Sequence, residues 1–415
     1  MSTPLRINPI RFQSDFTTLS AIGATPAGGV SRPALSAAHL EARAWFAEQV
    51  HRANLTPRID GAGNHSAILP SPNPDAPTLL LGSHLDSVPD GGRYDGALGV
   101  LAALEVLRTI HEAGMSLPIH LEAIDFTDEE GTLVGFIGSG ALAGTLAPSD
   151  LHNPRGGRQS LMAGLERAGL SEAGVFTARR DPATLAGYLE LHIEQGSRLF
   201  QSGVDIGIVQ GIVGIASFRL VFTGRANHAG TTPMADRRDA GLGAASFTLA
   251  ARQLVMDYFP GCVVNVGSLH LEPGAFNIVP GRAELALECR AVESGELERL
   301  QAALLAAARR AADAFGLGLD VIILGVHAPA PMNQLAQQAI QDSAAGLGLS
   351  SQALPSGAGH DAQNLALLCP TGMIFIPSVE GISHSPLEFS SWQSCLNGAN
   401  VLLGTALRLA GGMPD

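Results

Sequence analysis

Side chains of the types that bind metal ions recur in four short segments that lie far apart in this chain. They are His84, Asp86 and Asp95; Glu129 and Glu130; His192; and His384. Zinc binds imidazole nitrogen and carboxylate oxygen well, and three histidines, one aspartate and one glutamate can hold two Zn²⁺ ions if the aspartate bridges them. A second glutamate then remains free to act as a general base. The set predicts metal-assisted hydrolysis.

The same side chains fall at the ends of predicted strands. Short apolar runs predict buried strands at 78–82, 119–126 and 187–192, and apolar spacing predicts helices at 36–53, with Ser36 as N-cap, and at 98–111. Open α/β sheets place their sites at strand ends and in the loops that follow. Asp86 lies two residues after His84, on the same face of an extended chain, so we expect it to accept the other ring N–H of His84.

The chain of 415 residues is long enough for two domains. After a Gly-rich crossover at 203–215, the middle segment has the strand and helix order β-α-β-β-α-β, with its first helix expected from about Asp236 to Tyr258. This order is ferredoxin-like. We therefore predict an α/β fold with a catalytic domain at 1–212 and 328–415, and a smaller α+β domain inserted at 213–327.

Composition excludes some classes of protein. A formal net charge of −13 argues against nucleic-acid binding, which needs a basic surface. The four cysteines form no CxxC pair, so thiolate zinc sites are not expected. No apolar run is long enough for a membrane span, and no apolar signal segment follows Met1. The expectation is a cytoplasmic protein that binds neither nucleic acid nor membrane.

Each motif alone has a simpler interpretation. A single strand histidine such as His84 is more often a core residue than a ligand, and Asp95-Gly96 alone is an ordinary turn. Five ligand-type residues together at predicted strand ends favour the functional interpretation. A metal-binding protein without catalysis is the rival from another class, and Glu129 argues against it because five ligands already fill two metal sites.

The motifs resemble a known family. The spacing from His84-Leu85-Asp86 to the segment 91–96 (Gly-Gly-Arg-Tyr-Asp-Gly) resembles the aminoacylase-type co-catalytic zinc peptidases and amidohydrolases. Segments 127–131, 192–196, 227–234 and 356–362 are similar to one branch, the hydantoinase/carbamoylase amidases. That branch contains N-carbamoyl-L-amino-acid hydrolases, β-ureidopropionases and allantoate amidohydrolases. The resemblance covers nearly the whole chain and implies a two-zinc exopeptidase-like catalytic domain with an inserted dimerisation (lid) domain, hence a homodimer.

The resemblance also implies a role for each site residue. His84, Asp95 and His192 would hold one divalent ion, and Asp95, Glu130 and His384 the other. Glu129 would be the general base, with Asp86 and His228 as further catalytic groups. Zinc is the expected ion, and manganese, cobalt and nickel stay open. The implied substrate-binding residues are Gln195, His228, Asn277, Arg290, Gly357, Gly359 and His360.

Some of these roles depend on the resemblance alone. The neighbouring residues alone would predict a turn histidine at His228 and a solvated surface arginine at Arg290. His360 and Asp361 form either a histidine–carboxylate pair or a loop hydrogen bond, and His228 acts either in its own subunit or in the partner's. The sequence leaves both questions open.

The function that the resemblance implies is hydrolysis of the carbamoyl C–N bond of an N-carbamoyl-L-amino acid, a small ureido acid, to amino acid, CO₂ and ammonia. Allantoate amidohydrolase and β-ureidopropionase are the alternatives with the same fold. An aminopeptidase or deacylase acting on peptides is disfavoured by the motifs at 192–196 and 359–361.

Overall fold

The computed structural model describes residues 5–411. The chain divides into two compact units. Unit 2 is Gly211–Pro331, and unit 1 consists of the chain before and after it. Because unit 2 interrupts unit 1, the C-terminal segment returns to the sheet that the N-terminal segment begins.

Strands are numbered in chain order. They are β1 Thr56–Ile59, β2 His65–Leu69, β3 Thr78–His84, β4 His120–Phe126, β5 Leu185–Ile193, β6 Ile206–Ile212, β7 Gly214–Thr223, β8 Asn227–His228, β9 Val263–Glu272, β10 Ile278–Val279, β11 Arg282–Ala291, β12 Gly318–His327, β13 Ala330–Pro331, β14 Ser351–Ser356 and β15 Thr371–Ile376.

Helices are numbered likewise. They are α1 Pro9–Ala21, α2 Ala37–Arg52, α3 Ala97–Glu112, α4 Ile137–Ala143, α5 Pro148–His152, α6 Arg158–Arg167, α7 Glu172–Val175, α8 Arg198–Ser202, α9 Ala240–Tyr258, α10 Ser294–Ala314, α11 Gln334–Gly346, α12 Asp361–Leu365 and α13 Trp392–Leu409. Short 3₁₀ turns lie at Phe176–Ala178, Pro182–Thr184, Met234–Asp236 and Val379–Gly381.

Unit 1 is organised around a mixed sheet in which its strands have the order β1-β2-β4-β3-β5-β15-β6, and β14 pairs with β6. Its centre is parallel: β4, β3, β5 and β15 run in the same direction. In the β3–β4 ladder His84 is opposite Phe126, so both strands end at the same level. The segments that follow these strands are therefore neighbours, which is the arrangement the candidate site requires.

Apolar helices cover this sheet. Helix α3 packs against β3, β4, β5 and α13 and is buried along almost its whole length, which explains its nearly continuous Leu, Ala and Val sequence. Helix α2 begins where Ser36 predicts, because the Ser36 hydroxyl accepts a hydrogen bond from the His39 N–H. Packing of these helices against the sheet holds the strands, and therefore their ends, in place.

Unit 2 has a four-stranded antiparallel sheet with the order β12-β7-β11-β9. Alternate residues of β11 are buried, and the apolar residues of β7, α9 and α10 share one core with them. The predicted β-α-β-β-α-β order is present, and the prediction of an α/β fold is confirmed. The role of unit 2 in dimerisation stays a prediction.

Two sequence predictions need correction. The crossover expected at 203–215 contains a regular strand, β6, which pairs with β15 and with β13. The helix expected from about Asp236 begins at Ala240, because a 3₁₀ turn precedes it and the Asp239 carboxylate caps the first turn by accepting the N–H groups of Gly241 and Leu242. Among the described residues, no helix combines the length and apolarity needed to cross a bilayer.

Candidate metal centre

His84 is the last residue of β3, and its ring is fixed by a backbone contact. Nδ1 lies 3.0 Å from the Asp86 carbonyl oxygen and donates to it. That hydrogen bond sets the tautomer, so the lone pair of Nε2 faces the site. Nε2 is buried without a hydrogen-bond partner in the described chain, 3.6 Å from Asp95 Oδ1 and 3.5 Å from Glu129 Oε2. A buried nitrogen acceptor among carboxylates fits a cation.

Gly96 gives the His84 ring its space. A Cβ atom at Gly96 would lie 2.4–2.5 Å from three atoms of the ring, and the residue has φ +61°. Both the contact and the conformation require glycine. The Asp95-Gly96 turn is therefore part of the site.

His192, near the end of β5, has the same orientation. Its Nδ1 donates to the Ile193 carbonyl oxygen at 2.8 Å, and its Nε2 lies 3.0 Å from Asp95 Oδ1. The nearby negative charge of Asp95 raises the pKa of His192 against the opposing effect of burial. His84, Asp95 and His192 form a buried three-ligand group.

The other oxygen of Asp95 faces a second group. His384 Nε2 is 3.4 Å from Asp95 Oδ2 and 3.3 Å from Glu130 Oε2, and these three residues also form a group with metal-binding separations. The hydrogen bond to Asp95 raises the pKa of His384 to about 9. The two groups share Asp95, so its carboxylate can bridge two ions. The donor set fits two divalent cations.

Asp86 makes contacts that differ from the expected one. Its carboxylate lies 3.9 Å from His84 Nδ1, which bonds to the Asp86 backbone carbonyl instead. The carboxylate accepts the backbone N–H groups of Glu129 (3.3 Å) and Glu130 (3.2 Å). The expected ring contact is wrong because the main chain turns at Asp86 and brings its carbonyl nearer. Asp86 holds the Glu129-Glu130 segment at the end of β3.

Glu129 belongs to neither metal-binding group. Burial, followed by the nearby charges of Asp361, Glu130 and Asp95, raises its pKa well above the usual value, and His84 opposes this effect. Burial and the charge of Asp95 raise the pKa of Glu130 to about 7. A buried carboxylate that lies beside both groups and belongs to neither is a candidate for the general base.

Comparison with known proteins identifies the family. The model of peptidase family M20/M25/M40 matches residues 80–408. The chain belongs to this family. The N-carbamoyl-L-amino acid amidohydrolase of Geobacillus stearothermophilus is 39% identical over 397 residues, covering 95% of this chain and 97% of that protein. The allantoate amidohydrolase of Bacillus subtilis (strain 168) is 32% identical, covering 94% and 95%.

A solved structure agrees with this family. The hydantoinase/carbamoylase family amidase from Burkholderia multivorans has a TM-score of 0.90 at 33% identity and covers 99% of this chain and 100% of that one. The predicted resemblance to hydantoinase/carbamoylase amidases is confirmed. This M20 family member is an amidohydrolase, an enzyme of the class that hydrolyses C–N bonds of linear amides.

Gln195 lies beside the Asp95 carboxylate that the two groups of this M20 protein share. Its Nε2 donates to Asp95 Oδ2 at 2.7 Å, and its Oε1 is buried without a hydrogen-bond partner among the described residues. Gln195, His384 and Asp128 have positive φ values of 56°, 53° and 60°. Backbone conformations of this kind are costly for non-glycine residues and cluster at functional sites.

The other predicted pocket residues of unit 1 lie on the loop after β14. Gly357 is exposed, and a Cβ atom at Gly359 would lie 3.1 Å from Phe136 Cζ. His360 is buried, its ring centroid is 4.5 Å from that of His192, and its Nε2 lies 2.9 Å from Ser356 Oγ. His360 thus makes a loop hydrogen bond, to Ser356, and its substrate-binding role stays a prediction.

Two of the three predicted substrate residues of unit 2, His228 and Asn277, lie close together. Asn227 and His228 pair with β10, and the Ala229 N–H donates to the Asn277 carbonyl oxygen. His228 Nδ1 accepts the N–H groups of Gly230 (3.1 Å) and Thr231 (3.2 Å). Arg290, on β11, bonds to Glu288 at 2.7 Å. The substrate-binding roles of these residues remain predictions.

Sequence reasoning missed two polar residues that support the site, Glu190 and Glu388. Glu190, His192 and His360 form a third group with metal-binding separations, although the Glu190 carboxylate already accepts hydrogen bonds from Ser83 Oγ (2.8 Å) and the Ala362 N–H (2.9 Å). Glu190 precedes His192 by two residues on one strand face, which is the signal that could have found it. Glu388 is the other missed residue, and its sequence context gives no such signal.

Proposed function

We propose that this M20 amidohydrolase cleaves the carbamoyl C–N bond of N-carbamoyl-L-amino acids and uses two divalent ions to do so. The observation that carries the proposal is the position of Glu129, which lies 3.5 Å from His84 Nε2 but outside both groups that share Asp95. A purely metal-storing site has no use for such a carboxylate. The name of the relative at 39% identity supports the choice of substrate.

The proposed chemistry assigns the proton to Glu129. His84, Asp95 and His192 would hold one ion, and Asp95, Glu130 and His384 the other. Such ions would supply Lewis acidity toward a carbonyl oxygen and toward water. Glu129 takes the proton from the attacking water and returns it to the leaving nitrogen, which departs as the amino group of the amino acid. The carbamate that remains breaks down to CO₂ and ammonia.

Substrate orientation is assigned to unit 2. A planar arginine side chain such as that of Arg290 can bind a carboxylate through two parallel hydrogen bonds, and Asn277 can donate a further one. Because His228 Nδ1 accepts two backbone N–H groups, neutral His228 carries its proton on Nε2 and can donate it to a developing oxyanion.

Allantoate is the second candidate substrate. A relative named allantoate amidohydrolase is 32% identical over almost the same length. Allantoate and N-carbamoyl amino acids both have a carboxylate and a ureido group, so the residues assigned above bind either. Allantoate and the N-carbamoyl amino acids differ in the substituent at the α-carbon. The substrate of a β-ureidopropionase differs from an N-carbamoyl α-amino acid in having one more carbon between the ureido nitrogen and the carboxylate.

A substrate panel with controlled metal content tests the proposal. Protein stripped with a chelator is assayed for ammonia release with N-carbamoyl-L-methionine, its D-enantiomer, N-carbamoyl-β-alanine and allantoate, before and after addition of Zn²⁺, Mn²⁺, Co²⁺ or Ni²⁺. We expect no turnover without metal and preferred turnover of the L-α-amino acid after reconstitution. Full activity of protein that elemental analysis finds free of metal would refute the two-ion proposal, and preferred turnover of allantoate would replace the substrate.

The homodimer and the cytoplasmic location belong to the same proposal. The described chain has four free, buried cysteines, which suits a reducing compartment. Fractionation of the native source organism, followed by immunodetection of the protein, measures its location.

A further inference from the structure

Glu388 is a buried carboxylate that belongs to neither metal-binding group. It is 2% exposed, and each of its oxygens has a hydrogen-bond donor. Oε1 accepts the backbone N–H groups of Tyr94 (2.9 Å) and Asp95 (3.1 Å), and Oε2 accepts the hydroxyl of Ser383 (3.0 Å). Its hydrogen-bond donors among the described residues are thus two backbone amides and one hydroxyl. A buried carboxylate is costly unless it is well bonded, so its contacts require a reason.

Those contacts join two distant loops. Asp95 is the shared ligand at the start of α3, and Ser383 immediately precedes His384. The Glu388 N–H donates to the Ser385 carbonyl oxygen at 3.0 Å, so the carboxylate is held by the same turn that presents His384. Glu388 therefore connects the backbone of the bridging ligand to the loop of the ligand that completes only the second group.

Gly92 leaves the space that the Glu388 carboxylate occupies. A Cβ atom at Gly92 would lie 1.9 Å from Glu388 Cδ, so only glycine permits the carboxylate to reach the Asp95 turn. Ser383 Oγ is also 3.2 Å from Asp95 Oδ2. A serine hydroxyl has one proton. Asp95 Oδ2 already accepts a hydrogen bond from Gln195 Nε2 at 2.7 Å. When the Ser383 proton goes to Glu388, the remaining lone pair of Asp95 Oδ2 stays available to a cation.

We propose that Glu388 is a positioning residue that fixes Asp95 relative to His384 and keeps the Ser383 proton away from Asp95, and so sets the affinity for the second ion. The inference rests on the two-ion site of the proposed function. It predicts that loss of Glu388 weakens the ion held by Asp95, Glu130 and His384, while the ion held by His84, Asp95 and His192 stays bound.

Metal binding without substrate tests this inference. Equilibrium dialysis of the full chain against Co²⁺, with the visible absorption spectrum of bound Co²⁺ recorded in parallel, gives two dissociation constants. The variants are Glu388→Ala, Glu388→Gln and Ser383→Ala, with His384→Ala to identify the second site. We expect Glu388→Ala to weaken the second ion about 10–100-fold, as loss of a residue behind a ligand typically does, and to leave the first unchanged.

Glu388→Gln separates charge from geometry. Its amide oxygen still accepts the Tyr94 and Asp95 N–H groups, whereas its NH₂ donates to Ser383 and turns the Ser383 proton toward Asp95. We expect a smaller loss of second-ion affinity than in Glu388→Ala, and a changed Co²⁺ spectrum. Glu105→Gln is the control for loss of a buried carboxylate outside the site. Glu105 is 1% exposed, accepts the Asn8 N–H at 3.0 Å and pairs with Arg11 at 2.8 Å.

The outcomes separate the inference from the proposed function. If the parent chain binds two ions and Glu388→Ala binds both with parental affinity, the inference is wrong. If both affinities fall equally, or fall equally in Glu105→Gln, Glu388 has only a general structural role and the inference is again wrong. If the parent binds fewer than two ions, the proposed function fails first. Should Glu388→Ala not fold, Glu388→Gln and Ser383→Ala decide the matter, because both keep most contacts.

Discussion

Glu129 and Glu130 are adjacent in the chain but face different partners. Glu129 Oε2 is nearest to His84 Nε2, whereas Glu130 Oε2 is 3.3 Å from His384 Nε2 and Glu130 Oε1 accepts the Val88 N–H at 3.4 Å. Asp86 holds the backbone of both residues. This difference in contacts agrees with the proposed function, in which Glu130 is a ligand and Glu129 a base.

Substitution of each glutamate distinguishes the two roles. Glu129→Gln should keep both ions and lower kcat about 10²–10⁴-fold, because an amide cannot accept the proton of water. Glu130→Gln should instead release one ion. Metal content by elemental analysis and steady-state kinetics on N-carbamoyl-L-methionine measure both effects. Equal metal content and equal rates in the two variants would contradict this division.

Asp86 acts through the backbone of this pair. Asp86→Ala removes the acceptor for two N–H groups, so the Glu129-Glu130 segment loses its anchor. We expect metal affinity or activity to fall about 10–100-fold without complete loss. Asp86→Asn keeps one acceptor oxygen and should fall between the parent and Asp86→Ala. Titration with Mn²⁺ and kinetics measure the effect, and parental values in Asp86→Ala would make the two hydrogen bonds unimportant.

At the scale of elements, strand ends were predictable and loop contacts were not. The buried strands ending near His84, Phe126 and His192 follow from short apolar runs, and the ligand types at their ends follow from the sequence. The contact of Asp86 with Glu129 and Glu130, and that of Glu388 with Asp95, depend on how loops turn in three dimensions. No local period in sequence encodes these contacts, which is why they were missed or wrongly predicted.

Strand β2 contains a histidine that makes stability depend on pH. Burial, followed by the charge of Arg43, lowers the pKa of His65 to about 3. In the unfolded chain the histidine pKa is about 6.5, so only the unfolded state takes up this proton as pH falls below 6.5. The contribution of His65 to the free energy of unfolding is therefore fully present above pH 6.5 and decreases as pH falls toward 3.

His65→Gln should reduce that dependence. Each such histidine makes the free energy of unfolding fall by about 1.4 kcal/mol per pH unit below its unfolded pKa. Urea denaturation at pH 7.0, 6.0 and 5.5 should give a slope for His65→Gln that is shallower than the parental slope by about 1 kcal/mol per pH unit. His51→Gln, at an exposed position of α2, is the control. Parallel curves for His65→Gln and the parent would contradict the prediction.

At the scale of the whole molecule, strand β12 presents an exposed apolar edge that could bind another chain. It is an end strand of the unit 2 sheet, and three consecutive residues on it, Ile322, Ile323 and Leu324, are 44%, 65% and 54% exposed. An exposed apolar edge strand readily pairs with another chain, and proteins usually protect such edges with charged residues. A second copy of this chain would cover it.

Ile323→Lys should convert a dimer to a monomer. A charged side chain at the centre of the edge opposes strand pairing between copies. Light scattering should give about twice 42.8 kDa for the parent and about 42.8 kDa for the variant. Leu367→Lys, which replaces a 71% exposed residue of unit 1, is the matched control and should remain dimeric. A monomeric parent, or a dimeric Ile323→Lys protein, would place the interface elsewhere or exclude it.

The order of the strands in unit 1 has a consequence for synthesis on the ribosome. Strand β15 lies between β5 and β6 in the sheet, yet the whole of unit 2 is translated before it. At about 5–20 residues per second, roughly ten to forty seconds pass between emergence of His192 and of His384. During that interval the nascent chain already offers His84, Asp95 and His192, while β5 waits for its neighbour. In the proposed two-ion site, the group of His84, Asp95 and His192 is therefore complete on an unfinished polypeptide, whereas the group of Asp95, Glu130 and His384 is complete only near the end of translation.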